Sequence, residues 1–222
     1  MSTVVLLSGG LDSAVLAAHE AQHARVLPVY VSVGLAWENA EVATIELLLA
    51  SPAFAGKVAP LTRVEFTMRD VYAPTHWAIR GVPPAYDTPD EDVYLAGRNL
   101  VLLTKAGVVA AKLKADTIAL GPLAGNPFPD ARPEFFEAMT KALSLGLDHS
   151  LTIATPFFSW GKEEVIKRGV ELGVPLELTL SCMNPAPPAL HCGLCSKCRE
   201  RRDAFAAAGV SDPSTYASKS PR

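Results

Sequence analysis

Ser8-Gly9-Gly10-Leu11-Asp12-Ser13 follows directly on the apolar run Val4-Val5-Leu6-Leu7 and leads into Ala14-Val15-Leu16-Ala17-Ala18. That order reads as strand, tight turn and helix. Glycines let the backbone turn sharply and approach a ligand. The new helix points unpaired N–H groups and the positive end of its dipole into the turn, which makes an anion site. Phosphate is the anion such sites take, and Ser8 and Ser13 add hydroxyl donors. Asp12 is the odd member, because a carboxylate beside phosphate oxygens is repulsive unless a cation bridges them. Mg²⁺ is the expected bridge. The competing reading is a glycine turn in which Asp12 and Ser13 merely cap a helix. The length of the string and its place at the head of a first βα unit favour the phosphate site.

A second chemical signal lies near the other end. Cys192-Gly193-Leu194-Cys195-Ser196-Lys197-Cys198 spaces three thiols at two-residue gaps, with Cys182 ten positions upstream. Two successive Cys-x-x-Cys turns aim three thiolates at one point, and a fourth from a returning loop completes a tetrahedron. Four thiolates with no open position describe a structural Zn²⁺ site. His191 is a competing ligand, and an iron–sulfur cluster or redox pair is a competing use of the same thiols. The basic run Lys197, Arg199, Arg201 and Arg202 is expected on a helix face, partly offsetting the thiolate charge.

The elements that must position these groups alternate. After a first helix at about 13–24, residues 25–33 read as a buried strand that Pro28 should delay or bend. Helical spacing follows over 38–50, with Val42, Ile45, Leu48 and Leu49 on one face, then a strand near 63–66. A stretch from about 69 to 97, with prolines 74, 83, 84 and 89, is predicted to be irregular and of the kind that serves function. Its acidic cluster Asp87, Asp90, Glu91 and Asp92 is expected to be a solvated edge. A helix over 99–114, a strand over 116–120, a helix over 134–145, a short strand over 151–154 and a helix from near Lys162 complete the pattern. Such alternation implies a three-layer α/β sandwich, Rossmann-like, with a mainly parallel sheet. Ligands in these sheets gather beyond the carboxyl ends of the strands, so loops 8–13, 33–37 and 121–132 should face one crevice. The expected organisation is a nucleotide-binding domain over 1–180 and a zinc-binding segment over 181–222 packed on it.

At 222 residues the chain suits one domain with a small appendage. Twenty basic against 23 acidic side chains leave a net charge of −3, which favours neither nucleic acid nor anionic membrane as a partner. No apolar run approaches a membrane span, no signal peptide is visible, and clustered cysteines favour metal over disulfides, so the cytoplasm is the expected address.

The string at Ser8–Ser13 lacks the Gly-Lys-Ser/Thr of a Walker A loop and is not Gly-x-Gly-x-x-Gly; it resembles the PP-loop of ATP pyrophosphatases. Together with the cysteine cluster it is similar to the 7-cyano-7-deazaguanine synthase family over most of the chain. Tyr94-Leu95-Ala96-Gly97-Arg98-Asn99 resembles that family's Pro-Gly-Arg-Asn segment, and Pro129–Phe135 its Pro-Asp-Cys-Arg-Pro-Glu-Phe stretch. Thr155-Pro156 and Gly161-Lys162-Glu163-Glu164 resemble its Thr-Pro segment and Lys-x-Glu helix start. The departures fall on the acceptor side. Where the family carries Tyr-Gly-Gln-x-His, this chain has Val33-Gly34-Leu35-Ala36-Trp37; Gly121–Phe128 replaces a more polar run; and Ala131 replaces a cysteine.

The resemblance implies ATP and Mg²⁺ at Ser8, Gly9, Gly10, Leu11, Asp12 and Ser13, and Zn²⁺ at Cys182, Cys192, Cys195 and Cys198. It implies conversion of 7-carboxy-7-deazaguanine and ammonia to the nitrile through an adenylated carboxylate, in queuosine biosynthesis, and it allows a homodimer. Asp12, Lys162 and Arg98 are the candidate catalytic residues. Lys162 would add charge at the phosphates or stand as a surface lysine. Arg98 offers a planar fork to phosphate or carboxylate, and Asn99 serves the site or caps the next helix. Asp130 and Arg132 would hold the acceptor or Mg²⁺, or pair with each other. Trp37 and Phe128 would stack on the heterocycle or belong to the core. No pattern asks for a covalent nucleophile, and His76 and His149 read as structural. The competing functions are adenylation of another small acid or a tRNA base, and a nucleotide-binding module without chemistry.

Overall fold

A computed structural model describes residues 1–219. Its elements are β1 (Ser2–Leu6), α1 (Leu11–Glu20), β2 (Arg25–Ser32), α2 (Glu38–Ala50), β3 (Thr62–Glu65), α3 (Trp77–Arg80), α4 (Arg98–Leu113), β4 (Thr117–Ala119), α5 (Pro133–Leu147), β5 (Thr152–Ala154), α6 (Lys162–Glu171) and α7 (Ser196–Ala208), with short 3-10 turns between some of them. All strand pairs are parallel, in the order β3-β2-β1-β4-β5. The chain winds outward from β1 to β3, then crosses to the other side of β1 for β4 and β5. The order therefore reverses beside β1, and the phosphate-type turn leaves the carboxyl end of that strand, where such sheets bind ligands.

Strand alternation builds the two faces. Val4, Val29 and Ile118 bury against Leu103, Ala106 and Leu143 of α4 and α5. Val5, Val26 and Ala119 bury on the opposite face against α1, α2, α6 and α7. The result is the three-layer sandwich. Helices α4 and α5 meet closely at Gly107, where a Cβ would lie 3.0 Å from a Leu143 methyl.

Several local expectations shift. Helix α1 starts at Leu11 and ends at Glu20, because residues 21–24 turn the chain into β2. Strand β2 runs uninterrupted through Pro28, which lies in a gap between the bridge of Val26 to Val58 and the β3 register that begins at Val29. The missing N–H therefore costs the sheet little. The 69–97 stretch contains α3 and a 3-10 turn over Asp90–Val93. It is pinned by Tyr72 Oη donating to the Ala96 carbonyl at 3.0 Å and by Arg199 donating to the carbonyls of Tyr86 and Thr88. Among the described residues no helix is long and apolar enough to cross a membrane.

Candidate functional site

The turn after β1 is held in shape before any ligand arrives. Ser13 Oγ accepts from the Ser8 N–H at 3.2 Å and donates to the Gly10 carbonyl at 3.0 Å, while the Gly10 N–H donates to Ser8 Oγ. Gly9 has φ +75°, and a Cβ there would sit 3.0 Å from the Glu41 carbonyl oxygen and 3.2 Å from Ile45. Only glycine meets both conditions. The Gly9 carbonyl in turn accepts from the Leu180 N–H at 2.9 Å, so the turn is braced from the far end of the chain.

Lys162, the first residue of α6, reaches the first turn of α1. Its Nζ lies 3.3 Å from Asp12 Oδ2 and also bonds Glu200 of α7. Glu200 is shared with Lys197, which extends to Asp90 at 3.3 Å. Five alternating charges thus cross the cleft from the turn to the 69–97 stretch. Burial opposes the charge on Lys162, but the carboxylates of Asp12 and Glu200 outweigh it and hold the proton well above the ordinary lysine range. For Glu200, burial is likewise overcome by Lys162 and Lys197, and its carboxyl is pulled down to about 2. Asp12 differs: burial raises its pKa despite Lys162, and its Oδ1 is buried with no partner. An orphaned carboxylate oxygen at a helix N-terminus of the anion-binding type is what a divalent cation would satisfy.

These groups open on a cleft of about 490 Å³, a size that takes a small ligand. Ser8, Gly10, Leu11, Asp12, Ser13, Trp37, Arg98, Phe128, Asp130 and Lys162 all line it. The guanidinium of Arg98, at the start of α4, makes no ion pair or hydrogen bond among the described residues, and its Nε is buried and unpartnered. Asp130 is buried and accepts from the Asn99 N–H at 3.1 Å, while Asn99 Nδ2 donates to the Asp130 carbonyl. The pair thus fastens the start of α4 to the 129–131 turn. Burial raises the Asp130 pKa, partly offset by that N–H. Arg132 is exposed, lies outside the cleft and stands at the N-cap of α5. Trp37 is buried and stacks on Trp77 at 5.7 Å, and Phe128 stacks on Tyr94 at 5.1 Å. Of loop 33–37, only Trp37 reaches the cleft; Val33 and Leu35 are core.

Two carboxylates of α2 belong to this site without having been singled out by sequence. Glu38 accepts from Ser32 Oγ and from the N–H groups of Val33 and Gly34, which fixes the β2–α2 connection. Glu41, only 8 % exposed, accepts from Tyr30 Oη at 2.8 Å and Trp37 Nε1 at 3.1 Å. Its one legible signal was its place beside the apolar stripe of Val42, Ile45 and Leu48. Glu200 had another: two residues past Cys198, on a helix that the cysteine turn must start.

The four cysteine sulfurs lie within 4.8 Å of one another, with separations of 3.5 Å for Cys195–Cys198 and 3.9 Å for Cys182–Cys195 and Cys192–Cys198. Tetrahedral zinc at its usual bond length sets sulfurs about 3.8 Å apart. The N–H groups of Asn184 and Cys192 donate to Cys182 Sγ, and that of Leu194 to Cys192 Sγ, the stabilisation thiolate ligands receive. The donor set fits a closed tetrahedral ion. His191 points elsewhere, its Nε2 accepting from the Ser181 N–H. The basic run does not form one face. Arg201 is buried and bonds Thr179, Ser181, the Leu176 carbonyl and Asp212, and Arg202 bonds the Gly193 carbonyl. Neither His76, which caps α3, nor His149, beside Asp116, lines the cleft.

Comparison with known proteins agrees with this geometry. The family model described as queuosine biosynthesis protein QueC matches residues 2–209. The 7-cyano-7-deazaguanine synthase of Syntrophotalea carbinolica is 34 % identical over 226 residues, covering 96 % of both chains. That of Hydrogenovibrio crunogenus is 35 % identical, covering 97 % of this chain and 95 % of its own. That of Methanospirillum hungatei is 33 % identical, covering 97 % and 100 %. With matches of this length at both the phosphate-type turn and the cysteine cluster, the chain belongs to the queuosine biosynthesis protein QueC family.

Proposed function

We propose that this protein is an ATP-dependent ligase that converts 7-carboxy-7-deazaguanine and ammonia to 7-cyano-7-deazaguanine through an adenylated carboxylate. The observation that carries the reading is one cleft holding two complementary ends: the Ser8–Ser13 turn with Lys162 and Asp12, and the unpartnered cation of Arg98. The first end suits the triphosphate of ATP, with Mg²⁺ held by Asp12. The second suits an anionic acid.

A carboxylate is a poor electrophile, and moving AMP onto it creates a leaving group. Lys162 and the N–H groups at the head of α1 neutralise the charge that develops as pyrophosphate departs. Arg98 and Asp130 orient the acid against the α-phosphate, and the stacked pairs of Trp37 with Trp77 and Phe128 with Tyr94 wall off water. Ammonia then displaces AMP to give the amide, and a second activation at the amide oxygen leaves the nitrile. No covalent enzyme nucleophile is required. Zn²⁺ bound by Cys182, Cys192, Cys195 and Cys198 would fix the start of α7, which delivers Lys197 and Glu200 to the cleft.

A second reading, adenylation of a different small acid, draws support from the apolar Val33–Trp37 segment, whose Val33 and Leu35 are buried. The deciding experiment incubates the protein with Mg-ATP, ammonium and 7-carboxy-7-deazaguanine and follows pyrophosphate and product mass. Acid-dependent pyrophosphate release with formation of the nitrile supports the ligase. Absence of acid-dependent release sinks it.

A further inference from the structure

Ammonia exists at neutral pH mainly as ammonium, which has no free electron pair, so the proposed amidation needs a group that removes a proton inside the cleft. No histidine lines it among the described residues. Of its carboxylates, Asp12, Asp90 and Glu200 are paired with lysines. Glu38 already accepts three hydrogen bonds, from a hydroxyl and two backbone N–H groups, and Asp130 ties down the start of α4. Glu41 remains. Its two oxygens each accept one hydrogen bond from an uncharged side chain, Tyr30 of β2 and Trp37 at the N-cap of α2, which leaves one acceptor position on each. Its backbone abuts Gly9 of the phosphate-type turn, while its side chain lines the cleft.

The geometry points to Glu41 as the base that takes a proton from ammonium for attack on the adenylate. This rests on the ligase reading above. In the step, the N–H electron pair stays on nitrogen as the proton passes to Glu41. That pair forms the C–N bond to the acyl carbon, and the C–O bond to the phosphate breaks with its electrons leaving on AMP. The surplus proton on the new amide nitrogen goes to water, as does the one on Glu41 before the next turnover. The surroundings suit this work. Burial lifts the carboxyl to about 7, against the pull of Arg98 and the hydrogen bonds from Tyr30 and Trp37, with Glu38 adding to the lift. A base poised near the working pH transfers protons most effectively.

The test uses Glu41→Gln, which keeps the size of the side chain and an acceptor oxygen. Acid-dependent exchange of pyrophosphate into ATP reports adenylation without ammonia, and hydroxylamine, unprotonated at neutral pH, reports attack that needs no deprotonation. The variant is expected to keep exchange and hydroxamate formation while ammonia-dependent amide formation falls about 100-fold. Tyr30→Phe, which removes a hydrogen bond to the carboxylate, should move the acid limb of the ammonia-dependent rate to higher pH. Unchanged amide formation in Glu41→Gln overturns the assignment, as does equal loss with ammonia and hydroxylamine. Absence of acid-dependent exchange in the unaltered protein would instead count against the ligase reading itself.

Discussion

Nζ of Lys162 lies 3.3 Å from Oδ2 of Asp12, so the first turn of α6 is joined to the first turn of α1 by an ion pair at the mouth of the phosphate-type loop. Lys162→Met would leave Asp12 and Glu200 without their shared cation in a partly buried site. A stability loss of about 1–3 kcal/mol is expected, below the figure for a fully buried pair, together with at least a tenfold rise in the KM for ATP. Urea unfolding and steady-state kinetics read the two effects separately.

Glu41 and Glu200 should change stability with pH in opposite senses. Glu41 is raised to about 7 by burial; its contribution is complete below the unfolded value of 4.5 and is lost as pH rises through 7. Glu200 is lowered to about 2; its contribution is complete above 4.5 and is lost as pH falls toward 2. Relative to the unaltered protein, Glu41→Gln should therefore gain on going from pH 4.5 to pH 8, by about 3 kcal/mol at most. Glu200→Gln should lose on going from pH 2.5 to pH 5. Denaturant midpoints across these windows decide both signs.

Gly9→Ala combines a left-handed backbone with a Cβ 3.0 Å from the Glu41 carbonyl oxygen. A destabilisation of about 1–3 kcal/mol is expected, with loss of nucleotide binding exceeding what the lower stability explains. Titration with a fluorescent ATP analogue, at a temperature where the variant remains folded, separates the two.

Elemental analysis of the purified protein should find about one zinc per chain, and iron in its place would revise the assignment. Chelation or Cys195→Ser should release the start of α7, since Cys195 is its N-cap. Lys197 and Glu200 would then leave the cleft, so ATP affinity should fall along with helical circular dichroism.

The layers were legible in the sequence because β-branched runs alternate with amphipathic segments, and five parallel strands lie where that alternation set them. The phosphate-type turn and the four thiols were legible because their chemistry is local, written in neighbouring residues. Glu200 and the bracing role of Leu180 were not, because each acts on a partner far along the chain. Glu41 was not, because an acidic residue beside an apolar helical stripe gives no sign that its carboxylate is buried on the cleft side. Arg201 illustrates the same limit. Its charge suggested a surface, yet its guanidinium is spent inside on Thr179, Leu176 and Asp212. Arg132 was expected with Asp130 on the acceptor; the start of α5 turns it outward, whereas the start of α4 turns Arg98 into the cleft.

The hydrogen bond from Leu180 to Gly9 carries a consequence for how the protein is made. On the ribosome, residue 9 emerges early and its partner emerges only after every strand of the sheet. A nascent chain can therefore lay down the sheet-forming segments while the phosphate-type loop is still unbraced and α7 is still inside the tunnel. The brace of that loop arrives last, just ahead of the segment that carries the thiols.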